Sequence, residues 1–191
     1  MVMNRKSVVS RIGKEPVTAK ELEKKGISRN ELRRLVRTDE ILRVGRGVYQ
    51  LATADFGDES QFQAASKRIR GRSAVCLLSA LAFYNLTDEI PKQVWLLVDA
   101  NRRSSLKDIR LFRSHKPRWK VGLQEAEGYR ITNVERTIVD CITYEHKMGN
   151  LGIDALKRAI LEKKTTAGRV MDMAVLLKVA DRILPFIRML A

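Results

Sequence analysis

Five residues between positions 29 and 37 carry side chains suited to reading nucleic acid: Arg29, Asn30, Arg33, Arg34 and Arg37. A guanidinium forms paired hydrogen bonds with a guanine edge or a phosphate, and an asparagine amide does so with adenine. Placed on a helix at about 100° per residue, the five fall within an arc of about 140°. Leu32, Leu35 and Val36 fall on the opposite side of the same wheel. A charged helix face can also be plain solvated surface. Such surfaces usually alternate in sign so that acids and bases pair at i,i+4, and this arc holds no acid. A recognition helix is the favoured reading.

A second basic block lies between residues 102 and 120. Arg102, Arg103, Lys107, Arg110, Arg113, Lys116, Arg118 and Lys120 are interleaved with Phe112 and Trp119, against one acid. Arg110, Phe112 and Arg113 cannot share one strand face, so the block spreads over a strand and two loops. Arg102 to Arg118 are candidate accessory phosphate contacts, and solvated surface accounts equally well for about half of them. Asp88, Glu89 and Asp99 flank the apolar run Val94–Val98. Gathered at one point they would form a nuclease-like carboxylate cluster; scattered, they are turn acids. His115 and His146 have no partner at metal-ligand spacing. No phosphate-cradling glycine loop and no nucleophile elbow is present. The expectation is therefore a protein without catalytic residues, metal or cofactor.

The elements that must position the arginines are legible as caps. A helix over Asn4–Ile12 ends at Gly13. Thr18 and Glu21 form a capping box that opens a second helix, closed by Gly26. Ser28 and Glu31 repeat the device for the arginine-bearing helix. Two capped helices across a tight glycine turn make a helix-turn-helix. Ile41–Val44 and Val48–Leu51 flank Gly45-Arg46-Gly47 and form a hairpin, the wing, with Arg46 at its tip. Arg46 can enter a narrow minor groove, and a flexible surface arginine explains the spacing equally well.

Residues 1–52 thus read as a winged helix-turn-helix domain, and 53–60, with Gly57 and three acids, as a linker. Residues 61–191 read as a larger α+β domain with a small sheet. Its expected helices cover Gln61–Ile69, Val75–Leu86, Leu151–Lys163 and Arg169–Leu184, the last ended by Pro185. Val94–Val98, Ile109–Phe112, Lys120–Leu123 and Gly128–Ile131 are its strand candidates. Thr132 and Glu135 give a third capping box, opening a helix on which Arg136 and Asp140 are spaced to pair as structural groups.

The chain has 191 residues, 45% hydrophobic and 31% charged, with a net charge of +15. That composition folds as a globule and calls for an anionic partner, double-stranded DNA first among them. Cys76 and Cys141 sit in apolar surroundings and read as reduced, buried thiols. No apolar stretch approaches the roughly 20 residues of a membrane span, and Met1–Lys6 lacks a signal-peptide core. A cytoplasmic protein with no membrane partner is expected.

Several segments together resemble the AbiEi family of antitoxins from bacterial type IV toxin–antitoxin and abortive-infection systems. They are Thr18–Glu21, Gly26-Ile27-Ser28, Leu32–Val36 and Gly45-Arg46-Gly47-Val48-Tyr49. In the second domain they are Ser79-Ala80-Leu81 with Leu86-Thr87 and Pro91, and Glu135-Arg136-Thr137-Ile138-Val139-Asp140. The resemblance implies a phage-defence antitoxin whose winged helix represses the promoter of its own operon. It also implies a second domain that opposes a nucleotidyltransferase toxin without a stable complex. Two rivals remain open from the residues alone: a ligand-responsive repressor with the second domain as sensor, and an enzyme acting on nucleic acid near Asp99.

Overall fold

Thr18 does what its spacing to Glu21 predicts. In a computed structural model that describes residues 12–54, 57–69, 72–114 and 118–189, its hydroxyl accepts from the Glu21 N–H at 3.2 Å. The Glu21 carboxylate in turn accepts from the Thr18 N–H at 2.6 Å. Strand β1 (Val17–Thr18) therefore passes directly into helix α1 (Ala19–Lys24). Gly26, at φ 80°, ends it, and the Ile27 N–H closes back on Leu22 O at 3.0 Å. Ser28 then caps helix α2 (Arg29–Arg37) by accepting from the Glu31 N–H.

Strands β2 (Ile41–Gly45) and β3 (Val48–Leu51) follow, and the antiparallel sheet runs β1-β3-β2. Ile12, Val17, Leu22, Ile27, Leu32, Leu35, Ile41 and Leu51 form the core beneath it. The order strand, helix, helix, hairpin, with the first strand closing the sheet, is the winged helix-turn-helix. Of the helix expected over Asn4–Ile12, all but Ile12 lies outside the described residues.

The chain divides into two compact units, Met1–Gly71 and Arg72–Ala191. The first thus extends beyond residue 52, and the linker expected at 53–60 is not its end. Helix α3 (Asp58–Arg68) starts inside that segment. Lys67 Nζ donates to Pro16 O at 2.6 Å, and Arg68 lies so close to Gly45 that any Cβ there would meet its side chain at 2.7 Å. The acids that gave the segment its linker character, Asp58 and Glu59, occupy the first turn of α3, where they complement the helix dipole.

The second unit is built on a mixed five-stranded sheet of β4 (Ser73–Val75), β5 (Val94–Asp99), β6 (Ile109–Ser114), β7 (Leu123–Ala126) and β8 (Tyr129–Thr132). Its order is β6-β5-β4-β8-β7. Strands β5 and β6 are parallel, as are β4 and β8. The expected helix from Val75 is shorter, α4 (Leu77–Phe83), because Ser73–Val75 pairs into the sheet. Expected strand Lys120–Leu123 begins late, after a 3-10 turn at Arg118–Lys120.

The helices α5 (Val134–Thr143), α6 (Glu145–Leu161), α7 (Ala167–Leu176) and α8 (Ala180–Arg188) follow the sheet. Every residue of α5 from Glu135 to Ile142 is buried. Gly152 of α6 crosses it so closely that a Cβ would meet the Ile142 nitrogen at 2.6 Å. The N-cap of α5 is Asn133, which accepts from the Arg136 N–H at 2.9 Å. Thr132, expected in that role, turns its hydroxyl to Val75 O and the Thr137 hydroxyl instead. The helix expected over Arg169–Leu184 is two helices, with Pro185 inside the second. The break is a Schellman turn: Val179 N–H bonds to Ala174 O and Lys178 N–H to Val175 O, both at 2.9 Å, with Lys178 at φ 57°.

Candidate nucleic-acid interface

Helix α2 hides Leu32 and Leu35 in the core of the first unit and leaves Arg29, Asn30, Arg33 and Arg37 exposed. That division is the one the wheel predicts. Arg34 differs. It is half-buried, with Nη2 at 2.8 Å from Glu31 and Nη1 at 3.6 Å from Glu40. The structure spends Arg34 on closing the end of α2 onto β2, and its hydrogen bond to Glu31 raises the guanidinium pKa, which burial opposes. Arg29 also meets an acid: its Nε donates to Glu23 of α1 at 2.7 Å. Its side chain keeps 81% of its exposure, so solvent still reaches it.

Two cations that spacing within α2 does not point to complete the face. Lys20 of α1 and Arg43 of β2 join Arg29 and Arg33 around a groove of about 730 Å³, floored in part by Val36 and Tyr49. Among the described residues Glu23 is the one acid lining it. Arg43 lies directly across the ladder from Tyr49. Arg43 shares a strand face with buried Ile41 yet is exposed, as Leu42 is, so simple alternation does not give its outward position. Lys20 reaches the groove only because the Gly26 turn folds α1 against α2. Such convergence has no signature in local spacing.

The wing is short and pinned. Its turn is Arg46-Gly47, with Gly47 at φ 74°, and Gly47 O accepts from the Ala19 N–H at 3.0 Å. Arg46 is exposed at the tip. A turn tied to the start of α1 presents that arginine from a fixed backbone.

The second basic block lies in the other unit, on the loop 100–108 and on edge strand β6. Arg103 and Lys107 are exposed and Arg102 is half-buried. Arg110 lies over the Trp95 ring at 4.4 Å, and Arg113 Nε donates to Arg102 O at 2.9 Å. These two serve the sheet edge and the loop at least as much as any ligand. Lys116 and His115 lie outside the described residues, as do the side chains of Arg118 and His146.

The three acids are not brought together. Asp88 receives both terminal nitrogens of Arg158, at 3.0 and 2.8 Å, which lowers its pKa. Glu89 is exposed, and Asp99 ends β5, with its Oδ1 buried and making no hydrogen bond among the described residues. Among the described residues no group of three or more His, Cys, Asp or Glu is placed to hold a metal ion, and no helix is long and apolar enough to cross a membrane.

Arg136 and Asp140 form the expected pair, Nε to Oδ2 at 2.6 Å, both almost wholly buried. Glu135 is equally occupied, accepting from the Thr165 hydroxyl at 2.7 Å and from Arg169 at 2.8 Å. The polar residues of this segment thus tie α5 to its neighbours. Cys76 and Cys141 are free and buried, and burial pushes both thiols well above the ordinary range.

Residues 9–52 match a family described as a transcriptional regulator, the AbiEi antitoxin. The match covers β1, α1, α2 and the wing, the elements that carry the arginine face. None of the curated proteins compared matches the chain.

Proposed function

We propose, from a first unit whose residues 9–52 carry the AbiEi antitoxin regulator pattern, that the protein binds and represses its own operon's promoter. In this reading α2 enters the major groove with Arg29, Asn30, Arg33 and Arg37, flanked by Lys20 and Arg43, and Arg46 tests the adjacent minor groove. Arg34 anchors the helix and makes no base contact. The second unit counteracts a nucleotidyltransferase toxin encoded beside it, in phage defence, and has no catalytic activity of its own. The observation that carries the DNA-binding part is the coincidence of family match, exposed arginine face and pinned wing in one unit. Footprinting full-length protein on the DNA just upstream of its gene tests it. Protection of one or two sites spaced by a helical turn is expected; uniform protection or none overturns it.

A further inference from the structure

The second unit holds a cavity of about 720 Å³ that the DNA-binding reading does not use. It opens where the C-terminal end of β6 meets the end of α5 and the turn between α7 and α8. Arg113, Arg136, Lys178 and Arg182 line it against one acid among the described residues, Asp140. That imbalance selects an anion. The acid is already held by Arg136, whose Nη1 also donates to Val121 O at 2.6 Å, so this pair forms a rigid floor. Arg182 is fixed at the rim by its bond to Thr143 O at 2.7 Å.

Size and walls narrow the class. The volume suits a ligand of mononucleotide size rather than a bare phosphate. Phe112 and Tyr144 form one side, edge to face with centroids 5.2 Å apart, and both are only half-buried. Being nearly perpendicular, the two rings share no plane, and a base can stack on the face of one of them with its edge toward the other. The position also suits a ligand site: β6 runs parallel to β5, and ligands of α/β sheets gather outside the carboxyl ends of parallel strands. Lys178 lines the cavity from the left-handed position of the α7–α8 turn, at φ 57°, where glycine is less strained, so its charge can be removed without backbone cost.

We propose that this cavity binds a nucleoside phosphate, the base against Phe112 and Tyr144 and the phosphate among Lys178, Arg113 and Arg182. The same chemistry occurs in a free nucleotide and in the 5′-phosphorylated end of a single strand. The site does not depend on operator binding.

Calorimetric titration of the full chain with AMP, ATP and a 5′-phosphorylated pentaribonucleotide, with adenosine and inorganic phosphate as controls, tests this. Saturable binding of a nucleotide or of the phosphorylated strand is expected, with both controls at least about tenfold weaker. Whichever of the two binds more tightly identifies the source. Lys178→Gly removes the charge and relieves the backbone, so it should bind about tenfold more weakly while its thermal midpoint holds or rises. Operator affinity of the variant should be unchanged, which separates this site from the DNA-binding reading. No saturable binding, phosphate binding as tight as AMP, or an unaffected Lys178→Gly overturns the proposal.

Discussion

Glu23 and Arg29 bridge the two helices of the helix-turn-helix across the Gly26 turn, Oε1 to Nε at 2.7 Å. An ion pair this exposed contributes little to stability. Its consequence is for recognition, since Glu23 is an acid in a groove otherwise charged by Lys20, Arg29, Arg33 and Arg43. When DNA arrives, Arg29 must exchange this carboxylate for a phosphate or base, and Glu23 is left facing the backbone. Glu23→Gln should therefore tighten binding to operator and random DNA alike, without change in thermal midpoint. Weaker operator binding would instead make Glu23 the residue that aims Arg29.

Arg33 and Arg34 are neighbours on α2 with opposite commitments. Arg33 is exposed on the groove, while Arg34 is held by Glu31 and Glu40. Arg33→Ala should cost about 1–3 kcal/mol on the operator and far less on random DNA. Arg34→Ala should lower the unfolding midpoint and leave the ratio of operator to random affinity nearly unchanged. Competition binding at fixed salt separates the two.

The helix starts were easier to read than the helix ends. Thr18 and Ser28 cap as their spacing predicts because a hydroxyl and an N–H two or three residues on are local partners, but the full capping box expected at Ser28 is half formed, with the Glu31 carboxylate on Arg34. Helix after helix ends in the same Schellman turn, with Gly26, Asp39, Asn85, Lys163 and Lys178 in the left-handed position. Of these, Gly26 announces itself most plainly by residue type; Leu86 is buried just past Asn85, while Glu40 and Lys164 past Asp39 and Lys163 are held by Arg34 and by Tyr84 O. Pro185 misled for a related reason. Buried Ile183 with half-buried Phe186 and Ile187 keeps the chain helical around it, and packing outweighs one lost backbone bond. Asn133 took the cap expected of Thr132, since Thr132 is fully buried and serves the sheet. The arginine arc was visible from helical period alone, but Lys20 and Arg43 join it only through tertiary folding.

The pair at the centre of the second unit gives a stability prediction. Arg136 and Asp140 are buried together, and burial raises the Asp140 pKa even though Arg136 acts to lower it. Removing one partner strands the other. Asp140→Ala should cost about 3–5 kcal/mol in a denaturant titration. A cost below about 1 kcal/mol would mean that the unit relaxes to solvate Arg136.

The capping box of α1 makes the first unit sensitive to acid. Burial acts to raise the Glu21 pKa, but the Thr18 N–H and hydroxyl, with Lys67 and Lys25, bring it below its ordinary value of 4.5. A carboxylate whose pKa is lower folded than unfolded stabilises the fold above its unfolded pKa and loses that contribution as pH falls through its folded pKa. Glu21→Gln can still reach back to Thr18 but cannot titrate. The gap in unfolding midpoint between wild type and Glu21→Gln should therefore be full near neutrality and narrow below pH 4.5. A gap that stays constant with pH would show that the hydrogen bonds matter and the charge does not.

The second basic block is tested by salt. Arg110 is stacked on Trp95 and Arg113 lines the second unit's cavity, so the residues of this block left for DNA phosphate are Arg102, Arg103 and Lys107. Neutralising these three together should flatten the slope of log affinity against log salt by about 0.9 for each phosphate they neutralise in the wild type. Preference for operator over random DNA should hold, because phosphate contacts position the protein without reading sequence. Arg110→Ala should behave differently, exposing Trp95 and lowering the unfolding midpoint while leaving the slope alone. The fragment for comparison must end near Gly71 rather than at residue 52, since α3 packs within the first unit. If that fragment binds with the full-length slope, the loop 100–108 makes no DNA contact. Its cations then serve the second unit's own partner, and antitoxicity must be separable from operator binding by the triple variant.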